Sequence, residues 1–182
     1  METLSAKNDN WNIQEKLNYC GLVLLEFEVI KSLIIRPIKT FYYHVTFSDD
    51  FPFKTYELDV LSRDKNEFMA CLLYLKDFME AIDGNDIVII QELREKRNQI
   101  AHELMSYLFT FNPNEIDTLL EKAKRVLFKI SNYRVRMDIG YELQIKNIKV
   151  DWDKLVGTEY IIFNKIFDEI KENSRRITIA ST

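Results

Sequence analysis

The sequence predicts an all-α protein, a single bundle of about five helices with one irregular or short β-hairpin insertion at about residues 38–61. Three observations lead there. Glycine and proline are scarce, 4 and 3 in 182 residues, so few positions break a helix. Apolar residues recur at three-and-four spacing over long stretches, the pattern of helices that bury one stripe. No internal repeat, low-complexity tract or linker divides the chain, so residues 1–182 are expected to form one helical domain. A chain this long buries roughly two-thirds of the surface its unfolded form exposes, and needs neither a disulfide nor a structural metal.

The first helix is expected from about Trp11 to Ile35, stopped at Arg36-Pro37 because a residue before proline is pushed out of the helical region. Residues 38–61 are aromatic and β-branched and read as a long loop or hairpin. A second helix runs from Ser62 or Asp64 to about Ile82 and ends at the turn around Gly84. The third spans about Asp86 to Phe109. The fourth carries a start signal, with Asn112 as cap, Pro113 at the first helical position and Glu115 supplying the carboxylate of a capping box. It is expected to reach about Met137. A fifth helix starts near Asp151 or Asp153, after an irregular segment, and reaches about Asn173.

Composition excludes several function classes. The most apolar run, Cys20 to Ile35, holds Glu26, Glu28 and Lys31, too many charges for a membrane span, and reads as a core helix. The first ten residues lack the basic-then-apolar order of an export signal. Cys20 and Cys71 sit in apolar helical patterns, so reduced core thiols are expected, and with them a cytoplasmic location. No glycine-rich phosphate loop, paired-cysteine metal spacing or Gly-x-Ser-x-Gly elbow occurs, so neither cofactor nor metal is expected. The formal net charge is −4. Residues 1–90 hold 9 Lys/Arg against 15 Asp/Glu, and residues 91–182 hold 16 against 14, so a polyanion is expected to approach the second half.

The third helix carries the chemistry. On a wheel of about 100° per residue, Ile90, Leu93, Ile100, Ala101, Leu104 and Leu108 form one apolar stripe, and Arg97 falls in its middle. A guanidinium stays charged, so there it either reaches water along its stem or faces a polar cleft. His102 lies about 140° from Arg97 on the same wheel, and Asn98 is one turn before it. A helical histidine is often merely exposed or packed, but the chain has only 2, and this one follows a misplaced arginine and a carboxamide.

The stretch ArgAsnGlnIleAlaHis resembles the HEPN motif, an Arg followed by four to six residues and a His, often with Asn directly after the Arg. The segment Gly21 to Ile30 is similar to the first-helix pattern of several HEPN proteins, in which a Glu follows a Gly by about two turns; Glu28 would be that residue. The resemblance covers the first and third helices and leaves residues 38–61 and the tail unmatched. It implies a HEPN-like helical bundle and a metal-independent endoribonuclease, a toxin or antiphage defence effector, with a composite site at a homodimer interface. It further implies that RNA is the substrate and that an antitoxin such as a nucleotidyltransferase-like protein is a possible partner. His102 would take the proton of a ribose 2′-hydroxyl, Arg97 would hold charge on the phosphate, and Asn98 would orient His102 or bind phosphate. Glu28 would position Arg97 or form an ordinary ion pair between helices.

Arg94, Lys96, Lys122, Arg125 and Lys129 are candidate RNA contacts, with Lys124, Arg134 and Arg136 in the same acid-free stretch 122–136; a solvated helix face is the competing reading. Phe41, Tyr42 and Tyr43, beside His44, either stack bases or pack a loop. The alternative function is a non-catalytic HEPN-like module that binds RNA, a nucleotide or a protein partner. A plain helical dimerisation protein, with Arg97 in a structural ion pair, is the third.

Overall fold

The computed structural model describes residues 11–44, 55–140 and 150–180, with side chains over 11–43, 55–139 and 150–173. Within them the chain is all-α, as the periodicity predicts. The elements are α1 (Ile13–His44), the short α2 (Tyr56–Asp59), a 3-10 turn (Leu61–Arg63), α3 (Glu67–Asp77), α4 (Gly84–Phe109), α5 (Pro113–Gly140) and α6 (Thr158–Ala180).

Helix α1 is the central element and packs against α3, α4, α5 and α6. It starts on a reciprocal cap: the Asn12 N–H donates to Glu15 Oε2 and the Glu15 N–H to Asn12 Oδ1, both at 2.9 Å, which satisfies donors that a helix start leaves without partners. The expected stop at Arg36-Pro37 does not occur, and Pro37 lies inside α1. Proline removes one helical hydrogen bond, but the turns beyond it are held by packing. Ile38 is buried, and the Tyr42 hydroxyl donates to Asp59 Oδ2 at 3.0 Å, with Tyr74 Oη 3.1 Å away.

The insertion expected at 38–61 is therefore corrected at both ends. Residues 38–44 continue α1, and 56–63 form α2 and the 3-10 turn. No strand occurs among the described residues, and the centre of the proposed hairpin, 45–54, lies outside them. The second expected helix is shorter than Ser62 to Ile82, because the Asn66 side chain caps α3 by accepting from the Met69 N–H at 3.1 Å. After α3 the chain turns through Glu80, whose φ is 52°. The expected turn at Gly84 is instead the first residue of α4, capped by Asp83 and Asp86 in a reciprocal box.

Helix α5 begins at Pro113 as read, with the Glu115 N–H donating to Asn112 Oδ1, while the Glu115 carboxylate, expected to complete a capping box, pairs with Lys96 at 2.6 Å. Helix α6 starts later than Asp151 or Asp153. The buried Asn132 uses both amide hydrogens on the Trp152 and Leu155 carbonyls at 2.7 Å, and Ser131 Oγ accepts from the Gly157 N–H at 2.8 Å. These bonds hold residues 152–157 against α5 in a non-helical path. The core lies where Leu22, Ile30 and Ile34 of α1 meet Leu72, Ile90, Leu93, Leu120, Leu127, Phe163 and Phe167, each essentially sealed from solvent. Each such side chain contributes about 1.5–3 kcal/mol of apolar burial. Cys20 and Cys71 are free and buried, and burial pushes the Cys20 thiol up to about 11. Among the described residues, no helix is long and apolar enough to cross a membrane.

Candidate functional site

Helices α1 and α4 lie side by side in opposite directions, which brings Glu28 to Arg97 at one level and Lys16 to the Leu108 carbonyl, at 3.4 Å, at another. Along α4, Ile90, Leu93 and Ile100 are buried, and Arg97 occupies the centre of that same face. Its side chain is nonetheless 31% exposed, because the guanidinium is drawn outward by three partners. Nη2 donates to Glu28 Oε1 at 2.9 Å, Nη1 donates to Asn98 Oδ1 at 3.2 Å, and the group lies over the Phe27 ring at 5.6 Å. Its Nε is buried without a hydrogen-bond partner. A guanidinium has donors to spare, and here one is left unsatisfied.

Asn98 uses its carbonyl oxygen on Arg97, so its amide N–H groups point away from the arginine and remain donors. His102, one turn further along, is exposed. It makes no hydrogen bond among the described residues. The helix loses regular dihedrals at Glu103 (φ −134°, ψ 35°), immediately after it, and residues 101–106 are all exposed. This corrects the apolar stripe: Ala101 and Leu104 are outside the core, while Tyr107 and Leu108 return to it.

The structure thus brings Glu28, Arg97 and Asn98 into one hydrogen-bonded chain with His102 a turn away on open surface. Two cavities lie elsewhere among the described residues. A cavity of about 630 Å³ lies between α1, α3 and α5 over Leu33, Ile34 and Ile130, and a polar cleft of about 400 Å³ lies between α4 and α5. Neither borders Arg97 or His102.

The candidate RNA contacts separate. Lys96 sits 2.6 Å from Glu115 and over the Tyr107 ring, facing the α4–α5 cleft that Lys122 also lines. Lys129 is bound to Asp86 at 2.8 Å and Asp83 at 3.2 Å, which raises the lysine's proton affinity. Arg94 donates to Gln91 at 3.4 Å, and Arg125 is exposed on α5. Tyr42 is packed, and with Phe41 and Tyr43 it lies about 20 Å along α1 from Glu28 at 1.5 Å per residue. The side chain of His44 lies outside the described residues.

Two residues at the site were not singled out from the sequence. Lys31 Nζ stands 3.9 Å from Glu28 Oε2, and Phe27 underlies Arg97. The spacing of Glu28 and Lys31, three apart on one helix, carries the signal for the first. Among the described residues no group of His, Cys, Asp and Glu is arranged to hold a metal ion. No family model matches the chain, and no curated protein or solved structure matches it.

Proposed function

We propose that the chain is a metal-independent endoribonuclease of HEPN type, acting as a homodimer and serving as a toxin or antiphage effector. One observation carries the reading: an arginine at the centre of a core-facing stripe is turned to the surface, bonded to Asn98, one turn from an exposed histidine. The residue types suit RNA cleavage. His102 takes the proton of a ribose 2′-hydroxyl, the oxygen bonds to the adjacent phosphorus, and the P–O5′ bond breaks. The departing 5′-oxygen is reprotonated by the imidazolium or by water, leaving 2′,3′-cyclic phosphate and 5′-hydroxyl ends. Arg97 and the Asn98 amide hold charge that builds on the phosphate oxygens.

A surface beside these residues supports the second copy. Leu17, Gly21 and Leu25 on α1 and Ala101, Leu104 and Met105 on α4 are exposed, and the antiparallel pairing of the helices sets them side by side. Exposed apolar residues on two neighbouring helices suit an interface, and a two-fold axis through them would bring two His102 residues toward one composite cleft.

The second reading, a non-catalytic module that binds RNA, a nucleotide or a protein partner, is favoured by the lack of an orienting partner for His102 among the described residues, since a general base is normally held by a third group. Incubating total RNA with the protein in EDTA, beside His102→Ala and Arg97→Ala, separates them. Cleavage by the wild type, lost in both variants and yielding cyclic phosphate ends, supports the nuclease. Intact RNA with binding retained supports the second reading.

A further inference from the structure

The Glu28 carboxylate sits between two cations. Arg97 Nη2 is 2.9 Å from one oxygen and Lys31 Nζ is 3.9 Å from the other. Glu28 is half-exposed, so nothing in the packing forces it to remain there. Phe27, buried beneath, fixes the height of the guanidinium, and Asn98 Oδ1 accepts from its Nη1 at 3.2 Å. The arrangement is an anion site of two cations, already filled by the chain's own carboxylate.

We propose that Glu28 is a built-in competitor for a phosphate of single-stranded RNA, and that Lys31 is the second arm of the phosphate clamp once the carboxylate leaves. The inference rests on the nuclease reading for its substrate class and adds two things to it, a further binding residue and a brake. Exchange is cheap in energy. An exposed carboxylate–arginine pair contributes little, whereas a phosphate offers more acceptor oxygens and more charge to the same donors. Arg97 then changes partner without moving off Phe27. Lys31, a flexible point charge one turn from Glu28 on α1, follows the anion.

The test is binding of a fluorescent 2′-O-methyl oligouridine eight nucleotides long, which cannot be cleaved because its 2′-oxygen carries no proton. Glu28→Gln and Glu28→Ala are expected to bind it about two- to fivefold more tightly than the wild type, the reciprocal of the ion pair they remove. Lys31→Ala is expected to weaken binding and reduce the slope of log affinity against log salt by about 0.7, the value for one phosphate contact on a single strand. Thermal melts of the three variants establish that they are folded. Unchanged or weaker binding in both Glu28 variants, an unchanged salt slope in Lys31→Ala, or no binding by any form overturns the proposal. Because the probe is inert, absence of RNA cleavage would remove the nuclease reading while leaving the clamp standing on its own result.

Discussion

Arg97 of α4 donates to Glu28 of α1 across 2.9 Å, and that contact turns the one charged residue at the centre of a core-facing stripe toward the surface. The arrangement separates stability from activity. Arg97→Met keeps an unbranched stem against Phe27 and leaves Glu28 in water, so stability is expected to change by no more than about 1 kcal/mol. His102→Ala removes an exposed ring and is expected to change it by less than about 0.5 kcal/mol. RNA cleavage is expected to disappear in both. Urea denaturation beside a cleavage assay checks the pair; activity that merely tracked stability would assign Arg97 to the scaffold.

Glu26 is the opposite case, a fully buried carboxyl with neither oxygen hydrogen-bonded. Burial holds its pKa well above the ordinary carboxylate range, with Lys124 opposing that shift and Glu121 adding to it. Below the unfolded value both states hold the proton and stability is unaffected. Above it the unfolded chain ionises first, so stability falls with rising pH, by up to about 1.4 kcal/mol per unit, until the folded carboxyl also ionises. Glu26→Leu is expected to gain about 1–3 kcal/mol at neutral pH and to lose that slope. Urea midpoints from pH 4 to 8 measure both.

Lys129 is expected to act in folding rather than on RNA. It neutralises Asp86, whose side chain is 4% exposed, and bridges to Asp83 at the start of α4. Lys129→Met leaves that carboxylate buried without its cation. The cost is expected to be about 1–3 kcal/mol, below that of a sealed pair because the lysine is half-exposed. The lysine's raised pKa keeps its share of stability until pH rises past that value. The depressed Asp83 pKa keeps its share until pH falls through it. Melting at neutral pH, with oligonucleotide affinity measured alongside, distinguishes the roles. A drop in affinity at unchanged stability would return Lys129 to the RNA surface.

What the sequence made legible follows range. The start of α5 could be read because Asn112 acts within one turn of itself. Arg97 could be read because a wheel shows it inside an apolar stripe. The passage of α1 through Pro37 could not, since what sustains it is Ile38 in the core and the bonds of Tyr42 to Asp59 and Tyr74, 17 and 32 residues away. The same holds for Lys129, whose partners lie 43 and 46 residues back. Glu26 was read only as a charge that breaks a membrane span, because nothing in a helical pattern distinguishes a buried carboxyl from an exposed one two residues on.

Gly21 offers a test of the dimer in which two effects oppose each other. It lies mid-helix in α1, exposed, and a Cβ added there would meet nothing within 4 Å. Within one chain, replacing it with leucine adds helix propensity and no clash, and is expected to stabilise by up to about 0.8 kcal/mol. Across the proposed two-fold axis the absent side chain has a different meaning, since glycine lets a second backbone approach closely between Leu17 and Leu25. Gly21→Leu is therefore expected to raise the melting temperature of the single chain while weakening self-association. Met105→Glu, at a position 68% exposed, is expected to weaken association with little effect on the fold. Sedimentation equilibrium, calorimetry and RNA cleavage measured on the same samples follow all three quantities. Loss of cleavage in step with loss of the dimer would tie the composite site to this face. A wild type that stays monomeric at tens of micromolar, or a Gly21→Leu variant that remains dimeric and active, would place the interface elsewhere.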